Sequence, residues 1–315
     1  MPKVPIHCAD GSSADDTVRP VKKFLKRAAI ALVLLVVVAA AAFAVAWQLG
    51  ERKLERKLEV RVVPVPYTKD RNALKQGQYL FETRGCSECH GSDGRGIAFI
   101  DTPGMRVKSP NITTGPGGVV SDYNEGDWVR AIRHGIAPSG RALFIMPSAD
   151  YNRMTDVDLA ALVAYVRSLP PVPGGPTEMR LPLIVKALYG LDVVKDSAEK
   201  IDHRRPPQAP VPVAATVAHG AYVATMCVGC HRANLEGGPI VGGPPDWPPA
   251  AKLTPGEGSA MARYDTAEKF VAMMRTGKRP DGSDVSKVMP FMTLRNMNDT
   301  DLAALYAYLR ALSPR

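Results

Sequence analysis

The longest apolar run of the chain extends from Ala28 to Trp47 and contains no charged side chain. A helix of this length crosses a hydrocarbon core of about 30 Å. Four basic residues lie between positions 22 and 27, and Trp47 closes the run, as aromatic residues often do at a membrane boundary. The pattern predicts a transmembrane anchor at residues 28–48. A cleaved signal peptide is the alternative, although its apolar core is usually only about 7–15 residues long.

The segments on either side of this run are polar. Residues 1–27 are predicted to be a cytoplasmic N-terminal segment, in which Cys8 is a free reduced thiol. Residues 49–69 are predicted to be a stalk and spacer. The charged run 51–59 suits a continued helix, and the prolines that follow at positions 64 and 66 favour an extended chain.

Beyond position 69, apolar residues recur at helical spacing in two stretches, 70–170 and 213–315. Each stretch predicts three helices in the same order. The first helices start near residues 74 and 218, and the second follow cap-like pairs, Asn124/Asp127 and Asp265/Glu268. The third follow the predicted N-caps Thr155 and Asn298. No strand alternation of comparable length appears, so the predicted fold class is all-α.

The two stretches are copies of one domain, because their motifs return in order with a period of 141–143 residues. The segment Cys86–His90 returns as Cys227–His231, and Met146-Pro147 returns as Met289-Pro290. The prediction is therefore two tandem domains, 70–170 and 213–315. Residues 171–212 form a proline-rich linker with a short helix predicted at 181–190.

The motif Cys-x-x-Cys-His is the attachment pattern for c-type haem. Two thiols at this spacing reach the two vinyl groups on one edge of a porphyrin, and the adjoining imidazole reaches the iron. A zinc site would need its two cysteine pairs about 15–20 residues apart, whereas 137 residues separate Cys89 from Cys227. A thioredoxin-like site would need a βαβ pattern. We therefore expect two covalently bound haem c groups, held by the four residues Cys86, Cys89, Cys227 and Cys230, with His90 and His231 as iron ligands.

The sixth iron ligands are predicted to be Met146 and Met289. Each precedes a proline, follows a matched Arg-x-Gly-x-x-Pro-x-Gly loop, and lies 56 or 58 residues after the haem histidine. A methionine more often only fills a core, but the matched positions favour ligation here. Other candidates for this ligand are nearby: Met154, Met292, Met297 and, in the first copy alone, His134.

Three further residues are candidates for the haem pocket. Trp128 and Phe270 occupy equivalent places on the second helices, where an aromatic ring can wall a haem or simply fill the core. Asn111 lies in a loop that can reach a haem propionate, although turn residues of this type often bond only to their own backbone.

The positive charge of the chain is concentrated beside the membrane run. The net charge is +9, and residues 1–69, with 12 Lys and Arg against 6 Asp and Glu, account for six of these charges. The two repeated domains are close to neutral, so the high pI carries no inference about nucleic acids.

These motifs together resemble the class I cytochrome c fold. The order Cys-x-x-Cys-His, Asn-Ile-Thr, Asp-Trp-x-x-Ala-Ile-Arg-His-Gly, Met-Pro and Asp-Leu-x-Ala-Leu-x-Ala-Tyr resembles, more narrowly, the cytochrome c subunits of membrane-bound alcohol and gluconate dehydrogenases. The resemblance covers residues 70–170 and 213–315. It implies electron transfer from a catalytic partner to the respiratory chain. Such subunits typically hold three haems, whereas this chain has two motifs and an N-terminal anchor.

The expected function is electron transfer by a dihaem protein of the cytoplasmic membrane. Because c-type haem is attached outside the cytoplasm, both domains are expected on the periplasmic side. The expected partners are redox proteins: a dehydrogenase or quinol-oxidising complex as donor, and a terminal oxidase or another cytochrome as acceptor. Two alternatives stay open, a dihaem peroxidase, which needs an open iron site, and a fixed haem subunit of a larger respiratory or photosynthetic complex.

Overall fold

The computed structural model describes residues 15–240, 243 and 246–313. The first helix, α1, runs from Asp15 to Glu55 and contains a segment that is long and apolar enough to cross a membrane. Its side chains at positions 28–45 are almost all exposed, as suits a helix surrounded by lipid. Cys8, in the predicted cytoplasmic segment, lies outside the described residues.

Over their described residues, the two predicted domains each contain five helices in the same order. The first domain holds α2 (Arg71–Thr83), α3 (Cys86–His90), α4 (Glu125–His134), α5 (Ser148–Tyr151) and α6 (Asp156–Ser168). The linker contributes α7 (Leu183–Gly190). The second domain holds α8 (Val217–Val223), α9 (Val228–His231), α10 (Ala267–Thr276), α11 (Phe291–Leu294) and α12 (Asp299–Ala311). Short 3₁₀ turns lie at Ala198–Lys200, Ala224–Cys227 and Ala260–Arg263.

In both domains the first helix crosses the last at a glycine. A Cβ atom at Gly77 on α2 would lie 2.0 Å from the carbonyl oxygen of Ala161 on α6. A Cβ atom at Gly220 on α8 would lie 1.9 Å from the carbonyl oxygen of Ala304 on α12. Only a residue without a side chain allows so close an approach of two backbones, and this explains the repeated glycine.

Polar side chains cap the helices much as the sequence predicts. Thr155 and Asn298 are the N-caps of α6 and α12, and Asn124 forms a reciprocal capping box with Asp127 at the start of α4. One predicted cap was wrong by a residue. The N-cap of α10 is Thr266, whose hydroxyl accepts a hydrogen bond from Lys269 N, while the Asp265 carboxylate pairs with the Lys269 ammonium.

The fold is mostly helical, with one small antiparallel sheet that the sequence did not predict. Its strands are β1 (Ala98–Thr102), β2 (Met105–Lys108) and β3 (Glu178–Arg180), in the order β1-β2-β3. These strands are only three to five residues long and half-exposed, so they carry no clear alternation of apolar and polar residues. The third strand belongs to the linker, which therefore packs on the first domain.

The predicted helical stalk is shorter than expected, because α1 ends at Glu55. The next residue, Arg56, forms ion pairs with Asp196 and Glu199 of the linker, and Leu58 N donates to Gly140 O in the first domain. The chain then continues without regular structure, and Val62, Val65 and Tyr67 pack against the core of the first domain. The segment after α1 is therefore attached to the first domain.

The two domains contact each other through a reciprocal pair of tyrosines. Tyr79 on α2 donates a hydrogen bond to Asp301 Oδ2 (2.7 Å) and accepts one from Asn298 N (3.1 Å) at the start of α12. Tyr222 on α8 donates to Asp158 Oδ2 (2.5 Å) and accepts from Thr155 N (3.3 Å) at the start of α6. Because each contact repeats the other with the domains exchanged, the interface has approximate twofold symmetry.

Candidate haem-binding sites

The four predicted attachment cysteines lie on short turns of helix in equivalent positions. Cys86 and Cys89 are both on α3, and Cys227 and Cys230 lie at the junction of a 3₁₀ turn with α9. All four are half-buried free thiols. Burial raises the pKa of Cys86 and of Cys227 to about 12 and that of Cys89 to about 11, so the thiols are protonated near neutral pH. A spacing of three residues on one turn directs each pair to one side.

Each motif histidine is oriented by a backbone carbonyl twenty residues further along the chain. His90 Nδ1 lies 3.2 Å from Pro110 O, and His231 Nδ1 lies 2.7 Å from Ala251 O. The Nδ1 atom therefore carries the proton, and the lone pair of Nε2 is available to a metal. Burial lowers the pKa of both imidazoles, which keeps them neutral as iron ligation requires.

The alternative of a zinc site finds no support in the geometry. Over the described part of the chain, no three or more His, Cys, Asp or Glu side chains come together in a group that could hold a metal ion. Each cysteine pair has only its own histidine close in sequence. This donor set suits a haem, which brings its own four nitrogen ligands and needs only axial ligands from the protein.

The candidate methionine ligands also occupy equivalent places. Met146 and Met289 are half-buried at the edges of the cores of the first and second domains. Their competitors differ in position. Met154 and Met297 are equivalent to each other and lie inside the two cores, where they are 5% and 1% exposed. Met292 is 64% exposed.

His134 is engaged elsewhere. Its Nδ1 atom lies 3.0 Å from Nδ1 of His203 in the linker, so the N–H of one ring donates a hydrogen bond to the nitrogen of the other. Burial, helped by the neighbouring charges of His203 and Arg133, lowers the pKa of His134 to about 4.

An arginine holds the loop that follows each candidate methionine; Arg133 is buried, and Arg275 is partly buried. Arg133 Nη2 donates to Met154 O (2.6 Å), and its Nη1 pairs with Asp156 (2.7 Å). In the second domain Arg275 donates to Met297 O and pairs with Asp299 (2.6 Å). Arg133 therefore joins α4 to the start of α6, and Arg275 joins α10 to the start of α12.

The two aromatic candidates for the haem pocket are buried in their cores. Trp128 packs edge-on against Tyr123, and Phe270 packs edge-on against Tyr264. The Nε1 atom of Trp128 is buried and has no hydrogen-bond partner within the described chain. The same holds for Oγ1 of Thr254 in the second domain. A buried N–H or O–H group normally has a partner, so each of these groups suits a polar group of a bound haem, such as a propionate.

The structure shows the Asn111 side chain bonded to backbone groups, the second of the two roles that the sequence left open. Its side-chain nitrogen donates to Val172 O (2.9 Å) and Pro116 O (3.4 Å), and its Oδ1 accepts from Thr113 N (2.9 Å). Backbone groups therefore use the whole amide, and no donor is left for a propionate. Asn111 instead fixes its loop to the chain that leaves α6.

The two Cys-x-x-Cys-His segments lie at the interface between the domains. Glu88 on α3 accepts a hydrogen bond from Thr293 on α11. Gly229 on α9 packs against the Asp150 carboxylate on α5, the counterpart of Thr293. Each motif thus meets the short helix that follows the Met-Pro of the other domain. Arg84, just before the first motif, also donates to Val223 O (3.3 Å) across this interface.

A comparison with known protein families matches the cytochrome c model to residues 74–170 and 217–313, one copy for each repeated domain. The chain belongs to the cytochrome c family. Membership implies covalently bound haem c, and it agrees with the cysteine pairs, the oriented histidines and the unpartnered buried donors. The predicted resemblance to class I cytochromes c is confirmed.

Three relatives place the chain more narrowly. It is 27% identical over 271 residues to the cytochrome c subunit of the quinone alcohol dehydrogenase of Gluconacetobacter polyoxogenes, which covers 78% of this chain and 57% of the relative. It is 33% identical to the fructose dehydrogenase cytochrome subunit of Gluconobacter japonicus, over 41% of this chain and 28% of the relative.

The third relative is the gluconate 2-dehydrogenase cytochrome c subunit of Pantoea cypripedii. The identity is 32%, over 38% of this chain and 31% of the relative. The chain thus spans between a quarter and three fifths of the length of these relatives. The resemblance to dehydrogenase cytochrome subunits is confirmed.

The hydrogen bonds between the two domains were not predicted from the sequence. Nothing in the sequence pattern marks Tyr79 or Tyr222 as an interdomain contact. The reciprocal pattern, in which each tyrosine bonds to the other domain, cannot be distinguished from bonding within one domain by spacing alone. The sequence pattern was also not used to identify the carbonyl groups of Pro110 and Ala251 as partners of the motif histidines. Each lies twenty residues after its histidine, and this equal sequence separation was a usable signal.

Proposed function

We propose that this chain is a membrane-anchored, periplasmic dihaem electron-transfer protein that works between a respiratory donor and an acceptor. In this proposal residues 1–27 are cytoplasmic, residues 28–48 form the anchor, and residues 70–170 and 213–315 each carry one haem c. When bound, each haem c supplies one iron that cycles between two oxidation states. The observation that carries the proposal is the interface at which both Cys-x-x-Cys-His segments lie.

The protein's contribution at each site is to hold the iron ligands in place. His90 and Met146 would bind the iron of one haem, and His231 and Met289 would bind the iron of the other. The Nδ1–carbonyl bonds orient the two imidazoles, and Arg133 and Arg275 hold the loops that follow the methionines. With a histidine and a methionine both bound, each iron would have no free position for a substrate, and this favours a carrier over a peroxidase. A thioether ligand raises the reduction potential relative to a second imidazole.

The interface gives the two sites a short connection through protein. The motif of each domain contacts a helix of the other, and the tyrosine–aspartate pairs fix the relative positions of the domains. A fixed arrangement suits electron transfer from one site to the other, because no movement of the domains is then required. The partners are proposed to be redox proteins, with a dehydrogenase or quinol-oxidising complex as donor and an oxidase or another cytochrome as acceptor.

Replacement of the methionines tests this assignment. Met146→His and Met289→His should each remove half of the weak methionine–iron band at the red end of the oxidised spectrum. Each should also lower one of the two potentials in a spectroelectrochemical titration. The exposed Met292 gives a matched control, since Met292→Leu should leave both the band and the potentials unchanged. A wild-type spectrum without the band, combined with rapid peroxide turnover, would instead indicate a peroxidase.

A further inference from the structure

The linker helix α7 presents an apolar surface away from the protein. Ala187 and Tyr189 face inward and are 3% and 1% exposed, whereas Leu183 and Ile184 are 52% and 54% exposed. Just after the helix, Leu191 and Val193 are also more than half exposed. Four large apolar side chains within eleven residues form a patch that a surface facing only water rarely carries.

The two charges within this stretch are neutralised by α1. Lys186 pairs with Glu51 (2.6 Å), and Asp192 pairs with Lys53. The Lys186 pair lowers the pKa of Glu51, which stays ionised at neutral pH. The patch is therefore apolar and without an unpaired charge, as an environment of low polarity requires.

Two glycines determine the point along α1 at which α7 crosses it. A Cβ atom at Gly50 would lie 1.9 Å from Lys186 O, and one at Gly190 would lie 2.2 Å from Ala46 O. The two backbones are therefore in contact between Ala46 and Gly50. This is the level of Trp47, at the end of the apolar run. If α1 spans the membrane, α7 lies at its outer boundary.

The exposed face of α7 is continuous with the exposed apolar face of α1. Val45 and Leu49 lie on α1 at the level of the crossing and are 60% and 43% exposed. In an anchored protein these side chains face lipid. Leu49 packs against Gly190, next to the exposed Leu191, so the apolar surface of α1 adjoins that of α7. This favours lipid over a protein partner as the occupant of the patch.

A polar cluster joins this pair of helices to the first domain. Tyr189 donates to Asp196 (2.6 Å), and Glu199 accepts from both Lys53 (2.7 Å) and Arg56 (3.1 Å). Ser197, between these acidic residues, donates its backbone N–H to Leu143 O (3.0 Å) in the first domain. These contacts therefore hold α7 in a fixed position relative to the first domain.

We propose that α7 lies in the membrane interface, with Leu183, Ile184 and Leu191 in contact with the acyl chains. This inference rests on the proposed anchoring of α1. An interfacial helix of this kind places its apolar face about 5–10 Å into the boundary of headgroups and acyl chains. It makes a second membrane contact, which holds the haem domains at a fixed orientation to the bilayer. The first domain therefore does not swing on a single tether.

Photolabelling of the full chain tests this directly. The holoprotein is reconstituted at high lipid excess into phosphatidylcholine vesicles that contain an acyl-chain diazirine lipid. After irradiation and tryptic digestion, the labelled peptides are identified by mass spectrometry. Label is expected on α1 and on the peptides 181–186 and 187–195. The second-domain peptide 264–269 serves as the unlabelled reference.

The outcomes separate this inference from the proposed function. Label on α1 without label on 181–195 overturns the interfacial position of α7 while leaving the anchor intact; a protein contact, such as a second copy, would then cover the patch. No label on α1 overturns the anchor itself. Ile184→Ser with Leu191→Ser should lower labelling of 181–195 several-fold and leave α1 labelling unchanged. The equally exposed Val213→Ser is the matched control.

Discussion

Removal of one hydroxyl at the domain interface should destabilise the whole protein. The Tyr79 hydroxyl donates to the Asp301 carboxylate and accepts from Asn298 N, so Tyr79→Phe removes two hydrogen bonds without changing the ring. A hydrogen bond to a charged group contributes about 1.5–3 kcal/mol, and the Asp301 carboxylate left behind is 4% exposed, whereas Asn298 N can bond to water. We expect a loss of about 2 kcal/mol in the free energy of unfolding.

The assay is urea denaturation of the detergent-solubilised holoprotein, followed by Soret absorption and by tryptophan fluorescence. With a denaturant slope of about 3 kcal/mol per M, a loss of about 2 kcal/mol lowers the midpoint by roughly 0.7 M. Tyr222→Phe should have an effect of the same sign, because its hydroxyl makes the equivalent contacts with Asp158 and Thr155.

Tyr165→Phe provides the control, since the Tyr165 hydroxyl donates to no residue of the described chain while its ring packs against Phe81. Its midpoint should match the wild type. If Tyr79→Phe and Tyr165→Phe gave the same midpoint, the reciprocal interface would not contribute to stability. The argument for a fixed arrangement of the two sites would then fail.

Two further perturbations have expected outcomes. Gly220→Ala places a methyl group 1.9 Å from Ala304 O, and overpacking of this kind costs about 1–3 kcal/mol, so the urea midpoint should fall by roughly 0.3–1 M at the same denaturant slope, and an unchanged midpoint would contradict this. The second perturbation concerns pH. Burial lowers the pKa of His134 to about 4 in the folded protein, whereas the pKa of this histidine in the unfolded chain is near 6.5. As the pH falls, the unfolded chain therefore protonates His134 before the folded protein does, and this favours unfolding. Its contribution to stability is present above about pH 6.5 and is lost towards pH 4, by up to about 2 kcal/mol at pH 5. Denaturation curves at pH 7 and pH 5 should therefore differ less in His134→Phe than in the wild type; an equal difference in both would contradict this.

The elements that the sequence predicted are those whose signals are local. The helices α6 and α12 have clear apolar faces and capping residues at Thr155 and Asn298, and the structure contains both with these caps. The internal repeat strengthened each assignment, because a motif seen twice in the same order is hard to produce by chance. The family comparison confirmed the cytochrome c domains on the same grounds.

The features that were missed depend on contacts distant in sequence. The sheet forms because the linker strand Glu178–Arg180 pairs with Met105–Lys108, and three residues are too few to show a period. The helical stalk was overestimated because Arg56 has partners in the linker about 140 residues away, and these outweigh its tendency to continue the helix. For Asn111 the sequence left two roles open, and the choice between haem and backbone depends on partners such as Val172, 61 residues away.

The haem content of the purified chain tests the central claim most directly. Pyridine haemochrome quantification, combined with the intact mass of the denatured protein, should give two covalent haems per chain. The double variant Cys86→Ala, Cys89→Ala should retain one covalent haem, and so should Cys227→Ala, Cys230→Ala. A wild-type stoichiometry of one or zero, or a cysteine double variant that still carried two covalent haems, would contradict the assignment of one haem to each domain.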